Sequence, residues 1–229
     1  LRAGRGRDAG LVAGRHPRHL QRQPAGQPAA VFRRSADGSG VEERLFDSDK
    51  HQHTGAWSSD GRIFIYTVYD PTRAGDIWTL TLPDKRAEPF LQSRYSEAGP
   101  AVSANGRWFA YTSNESGRIE VFVHEFRRGG QRWQVSRAGG TDPVWARDSS
   151  ELYFREGAKV LAVAARPPFA AAVELFEAPW AMRASGGGRA QYDVTPDGHF
   201  VMIREANPGD ARIHVVLNWL EELKQKVPR

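Results

Sequence analysis

The chain has no cysteine and only two methionines among its 229 residues. The lack of cysteine excludes disulfide bonds and thiolate metal sites, but it does not indicate a cellular compartment. No apolar run approaches the roughly 18 residues that a membrane-spanning helix needs. The chain begins at Leu1 without a signal-peptide pattern, and we expect it to be part of a longer protein.

Catalytic signatures of two enzyme classes are also missing. A kinase domain needs a Gly-rich loop before a strand-borne lysine and the triplets H-R-D and D-F-G, and none of these occurs. No G-x-S-x-G nucleophile elbow is present, so the seven histidines have no elbow serine with which to form a triad. We therefore predict that this chain is not itself an enzyme and that it binds no cofactor.

Positive charge exceeds negative charge by five, and all of the excess lies in residues 1–30. That segment holds six arginines and a single acidic residue, Asp8. Residues 31–229 hold 26 basic and 26 acidic side chains and are therefore neutral. Because nucleic-acid binding needs a basic patch on the folded domain, we predict no nucleic-acid partner.

One five-residue phrase recurs: an aromatic or apolar residue, Ser or Thr, any residue, Asp or Asn, and Gly. It occurs at 57–61, 102–106 and 194–198, and a degraded copy at 145–149 ends in serine. The copies end 45, 43 and 49 residues apart, which is typical of repeat proteins. Asp or Asn bonds to its own backbone and Gly accepts positive φ, so each copy predicts a tight turn. The residues assigned to these structural turns are Trp57, Asp60, Gly61, Asn105, Gly106, Trp145, Asp148, Asp197 and Gly198.

Short runs of β-branched and aromatic residues follow each turn and predict strands. After the first turn these runs are Ile63–Val68, Asp76–Leu80 and Glu88–Leu91, separated by polar loops. With the strand that enters the turn, each repeat has four antiparallel strands, which is the organisation of a propeller blade. The predicted fold class is therefore all-β, a β-propeller of four-stranded antiparallel blades.

The only helix signal is C-terminal. Leu217, Leu220 and Leu223 fall at helical spacing, and Pro228 ends the run. We accordingly divide the chain into an irregular Arg/Gly/Pro-rich segment at 1–30, propeller blades at 31–215 and a short α-helix at 216–229.

Residues 1–30 have no strand periodicity, and two interpretations are open. If the codons are GC-rich, Leu11–His16 read one nucleotide out of step decodes as W-S-P-D-G, the repeat phrase. Residues 1 to about 28 would then be a frameshifted blade, and Val31–Arg34 would be the end of that blade. The other interpretation is a disordered tail. We favour the frameshift, which the genomic DNA sequence can test.

Five segments of the sequence carry a family resemblance: Asp76–Trp78, Ala110–Arg118, Gly139–Trp145, Tyr192–Gly198 and Val215–Leu223. Together they resemble the TolB-like, WD-type β-propeller repeats of bacteria. They are most similar to the propellers that follow the kinase domain in some bacterial serine/threonine protein kinases. The resemblance covers residues 31–229 and implies a six-bladed ring, of which this chain supplies four to five blades.

The resemblance implies a non-catalytic protein-interaction or sensory module, from the C-terminal part of such a kinase. Two alternatives remain open: the accessory propeller of a prolyl-oligopeptidase-type serine peptidase, and a stand-alone periplasmic TolB-like scaffold. In kinases of this kind the propeller often follows a membrane span, so an extracytoplasmic location is favoured over a cytoplasmic one. The expected partner is a protein or a peptide.

Ligand contacts are predicted just before each repeat phrase, where the innermost strand of a blade enters beside the central channel. Propellers commonly bind peptides at a polar channel mouth, and this expectation comes from the fold alone. The residues at the aligned positions are Gln52, His53, Glu97, Thr141 and Arg189.

Two other clusters are interpreted as structural. Asp47, Asp49, His51 and His53 offer ligand types that suit zinc, but alternating residues in a solvated loop need not converge, so we predict no metal site. Six tryptophans resemble a carbohydrate platform, but large aromatic residues at blade spacing more often fill the space between sheets. These are Trp57, Trp78, Trp108, Trp133, Trp145 and Trp219.

Overall fold

The computed structural model of the chain describes residues 18–22, 29–34, 40–48, 50–70, 75–177 and 190–202. Regular secondary structure in these ranges consists of 17 β-strands in five antiparallel sheets. The described ranges contain no helix that is long and apolar enough to cross a membrane. The helix predicted at 216–229 lies outside the described residues.

Each sheet is formed by strands that are consecutive in the sequence, and we name the sheets blades A to E. Blade A contains β1 (Arg18–Arg22), β2 (Ala29–Arg34) and β3 (Glu43–Ser48). Blade B contains β4 (His51–Trp57), β5 (Ile63–Tyr69), β6 (Gly75–Thr81) and β7 (Arg86–Leu91). Blade C contains β8 (Glu97–Val102), β9 (Trp108–Ser113), β10 (Glu120–Glu125) and β11 (Arg132–Gln134). Blade D contains β12 (Thr141–Trp145), β13 (Glu151–Glu156), β14 (Lys159–Ala164) and β15 (Val173–Glu177), and blade E contains β16 (Tyr192–Val194) and β17 (Phe200–Met202).

The repeat phrases lie at equivalent places in blades B to E. Each one joins the first strand of its blade to the second, and the two strands pair antiparallel on either side of it. The four-stranded antiparallel blade predicted from the sequence is confirmed in B, C and D.

Apolar side chains fill the space between successive blades. Phe64, Tyr66 and Leu80 of blade B pack with Val31 and Leu45 of blade A. The opposite face of blade B packs against blade C, and further cores of the same kind lie between C and D and between D and E. Both faces of the inner strands are therefore buried, which explains why these strands are apolar and aromatic rather than cleanly alternating.

The first strands of blades B to E follow one another around the centre. β4 packs against β8, β8 against β12, and β12 against β16. Each of β4, β8 and β12 carries a register shift against the second strand of its blade, at 53–56, 98–101 and 141–144. A bulge at the same place in three blades bends each strand where it enters the centre of the molecule.

The structure differs from the sequence prediction over residues 1–30. A strand, β1, occupies Arg18–Arg22 in the predicted irregular segment, and β2 begins at Ala29, before the expected boundary. β1 and β2 pair antiparallel with Leu20 opposite Phe32. Backbone pairing satisfies the amide and carbonyl groups and does not need a periodic side-chain pattern, so composition gave no sign of this strand. Leu11–His16 lies outside the described residues, and the frameshift stays a hypothesis.

The cluster at 47–53 is also placed differently from the prediction. Asp47 lies in β3, and His51 and His53 lie in β4, rather than in one solvated loop. Strand pairing with β2 on one side and β5 on the other extends both strands up to the connection between blades. Asp49 lies outside the described residues, and within the described part of the chain no three His, Asp or Glu side chains are grouped as a metal site would require.

Candidate functional site

The repeat turns share one hydrogen-bond pattern. In blade B the Ser58 hydroxyl donates to the Asp60 carboxylate at 2.6 Å, and the amides of Arg62 and Ile63 donate to Asp60 and Ser58 at 3.0 and 2.9 Å. Ser103 and Asn105 repeat the pattern in blade C. In blade E the Thr195 hydroxyl donates to the Asp197 carboxylate and accepts a hydrogen bond from the His199 amide. The hydroxyl and the Asx side chain thus satisfy the turn backbone, which is a structural task.

The degraded copy in blade D reaches the same turn by another route. Ala146 has no hydroxyl, and the Asp148 carboxylate instead accepts hydrogen bonds from the hydroxyl and amide of Ser150, at 2.6 and 2.9 Å. Ser149 takes the glycine position with a φ of 62°. Its Oγ accepts a hydrogen bond from the amide of Asn105 in blade C at 3.0 Å, so successive turns contact each other at this end of the molecule.

The opposite end is where β4, β8 and β12 begin, and we call it the channel mouth. Four of the residues predicted there lie in the described part of the chain, and Arg189 lies outside it. Gln52 and Glu97 are buried, whereas His53 and Thr141 are half-buried. The structure places all four in the first residues of innermost strands, but on different blades: Gln52 and His53 on B, Glu97 on C and Thr141 on D.

His53 and Thr141 have well-defined neighbours at the mouth. The His53 ring packs edge-on against Tyr69 with ring centroids 4.8 Å apart. The Thr141 hydroxyl donates to the carboxylate of Asp142 at 3.2 Å, and Thr141 lies opposite Arg155 in the sheet. Both side chains keep part of their surface in solvent and can contact a bound segment.

Glu97 has an unusual environment for a carboxylate. It is 3% exposed, and one oxygen accepts a 2.6 Å hydrogen bond from the Ser93 hydroxyl. Burial raises the pKa of Glu97 to about 7, and the nearby Asp76 adds to the shift, while Ser93 and Arg132 oppose it. The mouth therefore contains a carboxyl group that titrates near neutral pH.

Ion pairs at the mouth were not predicted from the sequence. Arg155 and Asp142 form a buried pair at 3.0 Å, and the Asp142 carbonyl accepts a hydrogen bond from the Tyr192 hydroxyl of blade E at 2.9 Å. Arg118 pairs with the buried Glu120 at 2.7 Å. Arg118 and Asp142 lie within phrases that were assigned to the fold, so their pairing was not predicted. The one available signal was a charged residue at or next to the start of the third strand in blades B and C.

The described tryptophans lie in or beside the cores between blades. Trp108 and Trp145 are buried between C and D, with Trp133 packed against them. Trp57 and Trp78 pack at the edge of the core between A and B. Their rings contact aliphatic and aromatic neighbours rather than forming one open platform, and Trp219 lies outside the described residues.

The chain was compared with family models, with curated proteins and with solved structures, and only solved structures match it. No family model and no curated protein matches the chain. A putative TolB from Agrobacterium tumefaciens matches with a TM-score of 0.62 and 15% identity, over 80% of this chain and 68% of that one. TolB from Acinetobacter baumannii matches with a TM-score of 0.62 and 16% identity, over 82% and 47% of the two chains.

The chain has a TolB-like β-propeller fold. A puromycin hydrolase matches as well, with a TM-score of 0.60 and 13% identity, over 83% of this propeller but only 32% of the hydrolase. At such identities the likeness shows the fold alone. The propeller spans less than half of the Acinetobacter protein and about a third of the hydrolase.

Proposed function

We propose that the propeller is a non-catalytic module that binds a protein or peptide at the channel mouth. The observation that carries the proposal is the mouth itself. Three innermost strands begin there with a bulge, and they place His53, Glu97 and Thr141 at the same end of the molecule as two ion pairs, of which the Arg155–Asp142 pair is buried. Polar groups that several strands hold at one end of the molecule suit the recognition of an extended chain.

For the parent protein, we propose a bacterial serine/threonine kinase with the propeller at its C-terminus, outside the cytoplasm. The support is the resemblance carried by Asp76–Trp78, Ala110–Arg118 and the other phrases of the sequence. A protein or peptide signal bound at the mouth would then be sensed by a domain on the other side of a membrane.

A second candidate is the accessory propeller of a serine peptidase. Its support is the likeness to puromycin hydrolase and to a prolyl endopeptidase, of whose chains the propeller matches 32% and 30%. A third candidate, a stand-alone periplasmic scaffold, has support from the two TolB structures.

Sequencing the gene and about a thousand bases on either side of it separates the three candidates. Kinase signatures upstream support the first candidate. A G-x-S-x-G elbow in the same reading frame replaces it with the peptidase, and a signal peptide directly upstream replaces it with the scaffold.

Binding at the mouth is tested with a blocked variant. We expect Thr141→Trp to reduce at least tenfold the protein that the immobilised propeller retains from an envelope extract, because the indole would fill the mouth. Val173→Trp is the matched control, since Val173 is 64% exposed on the outer strand β15. Equal retention by both variants would contradict a binding site at the mouth.

A further inference from the structure

We infer that Asp76 and Glu97 form a proton-sensitive contact between blades B and C, in which protonation of Glu97 relieves the repulsion between the two carboxylates. The expected effect of this contact on folding stability follows from the structure and does not require the function proposed above. Its effect on partner binding rests on the function proposed above.

The two carboxylates are brought together by touching backbones. Asp76 lies near the start of β6 and Glu97 at the start of β8. Gly75 donates its amide to the Ser96 hydroxyl at 3.2 Å, and a Cβ at Gly75 would lie 2.7 Å from the Glu97 carbonyl oxygen. The two strands therefore meet with no room for a side chain between them.

Consecutive residues tie the carboxylates to one connecting segment. Gln92 donates from its amide nitrogen to Asp76 Oδ2 at 3.1 Å, and Ser93 donates to Glu97 Oε1 at 2.6 Å. The other oxygens, Asp76 Oδ1 and Glu97 Oε2, are buried and accept no hydrogen bond from the described residues. Neither carboxylate forms an ion pair with a cation in the described ranges.

A buried carboxylate without a cation is unfavourable when ionised, and two neighbouring ones repel each other. Asp76 is 4% exposed and Glu97 is 3% exposed, so water does little to screen them. A proton removes one of the charges and supplies a donor to the pair. Burial and the neighbouring Asp76 therefore both favour the protonated form of Glu97.

The charged groups around Asp76 and Glu97 do not supply a cation that would neutralise either carboxylate. Arg132 reaches the region from β11, but it pairs with Glu115 at 2.8 Å, and Glu115 itself disfavours ionisation of Glu97. Lys50 pairs with Asp70 at 3.3 Å. The titratable neighbours on β4, β5 and β9 are His53, Tyr69 and Tyr111, and burial raises the pKa of both tyrosines.

The next blade provides an internal comparison. Glu120 is the first residue of the third strand of blade C, Asp76 is the second residue of the third strand of blade B, and Glu120 is also buried. It accepts hydrogen bonds from Arg118 at 2.7 Å, from the Gly139 amide at 3.0 Å and from the Ser136 hydroxyl. The residue of blade D that aligns with Glu97 is Gly140, which has no side chain. Both carboxylate oxygens of Glu120 thus accept hydrogen bonds, whereas Asp76 and Glu97 each have one oxygen that accepts none from the described residues.

The sign of the pH effect follows from the raised pKa of Glu97. The folded state holds its proton to a pKa of about 7, while an unperturbed Glu has a pKa of 4.5. Folding stability from this group is therefore greatest below pH 4.5, declines as the pH rises to about 7, and is constant above that. Above neutral pH the ionised pair repels, which loosens the start of β8 at the mouth.

The test is a series of urea unfolding curves between pH 5 and pH 9 for the wild-type chain, Glu97→Gln and Glu120→Gln. We expect Glu97→Gln to abolish most of the loss of stability between pH 5 and pH 8. Glu120→Gln should lower stability at every pH and keep the wild-type slope, because its partners are fixed donors. Identical pH profiles for wild type and Glu97→Gln would overturn the proposal.

A second measurement keeps the proposal testable if Glu97→Gln does not fold. Infrared spectroscopy at pH 6 and pH 9 reports the carbonyl stretch of a protonated carboxyl, and Asp76→Asn should alter it in the folded protein. No protonated carboxyl at pH 6 would overturn the proposal. If the stability slope is as expected but the propeller retains no partner at any pH, the proposed function fails and the proton-sensitive contact stands.

Discussion

Ser149 shows how a single turn residue exchanges backbone strain for a contact between blades. Its φ of 62° disfavours any residue other than glycine by about 1 kcal/mol, and its hydrogen bond from the Asn105 amide returns a similar amount. We expect Ser149→Ala to destabilise the propeller by about 1 kcal/mol, because it keeps the strain and loses the bond. Ser149→Gly loses the bond but relieves the strain, so it should lie within about 0.5 kcal/mol of the wild type in urea unfolding. A Gly variant as unstable as the Ala variant would contradict this balance.

For single residues, the sequence predicted the roles of the turn residues, but it did not predict which side chains meet at the channel mouth. Asp60, Asn105 and Asp197 are recognisable because their hydrogen bonds are local. Glu97 was placed at the mouth from its distance to the turn. Its relation to Asp76 depends on two strands that lie 21 residues apart in the sequence, which no local pattern records.

The bulge in β4 lies between His53 and Ala56, and it brings Gly55 close to the backbone of the paired strand β5. A Cβ at Gly55 would lie 2.6 Å from the Ile65 carbonyl carbon and 2.8 Å from the Tyr66 Cα, both in the backbone of β5. The paired strand cannot move aside, so we expect Gly55→Ala to cost more than about 3 kcal/mol or to prevent folding. Gly117→Ala is the control: its φ is 92° but nothing lies within 4 Å of its Cβ, and it should cost about 1 kcal/mol. Similar melting temperatures for the two variants, measured by circular dichroism, would show that the bulge is not rigid.

Strand prediction succeeded where apolar runs lie between tight turns, as for β5, β9 and β13. The fourth strand expected in blade D, β15, was not located in the sequence because a longer loop precedes it, in which Phe169 packs on Trp108 and Trp133 of blade C. The innermost strands β8 and β12 contain Gly99-Pro100 and Asp142-Pro143 at the bulge, a signal that is typical of loops. Only their constant distance from the repeat turns located them.

At the scale of the molecule, the repeat period was sufficient to predict a β-propeller. Each blade buries its faces only against its neighbours, so a constant period and apolar runs on both sides of a turn specify the architecture. The partner and the parent protein do not follow from it. One fold supports many functions, and the solved structures at 13–16% identity share only the fold with this chain.

The most direct test of the account is photo-crosslinking in cells that express the protein. A photoreactive benzoylphenylalanine replaces Thr141 at the mouth or, as the control, Val173 on the outer strand. We predict a discrete protein adduct at position 141 that is absent at position 173, because only the mouth holds a bound segment. The absence of any adduct at 141, or the same adducts at both positions, would contradict a protein-binding propeller with its site at the channel mouth.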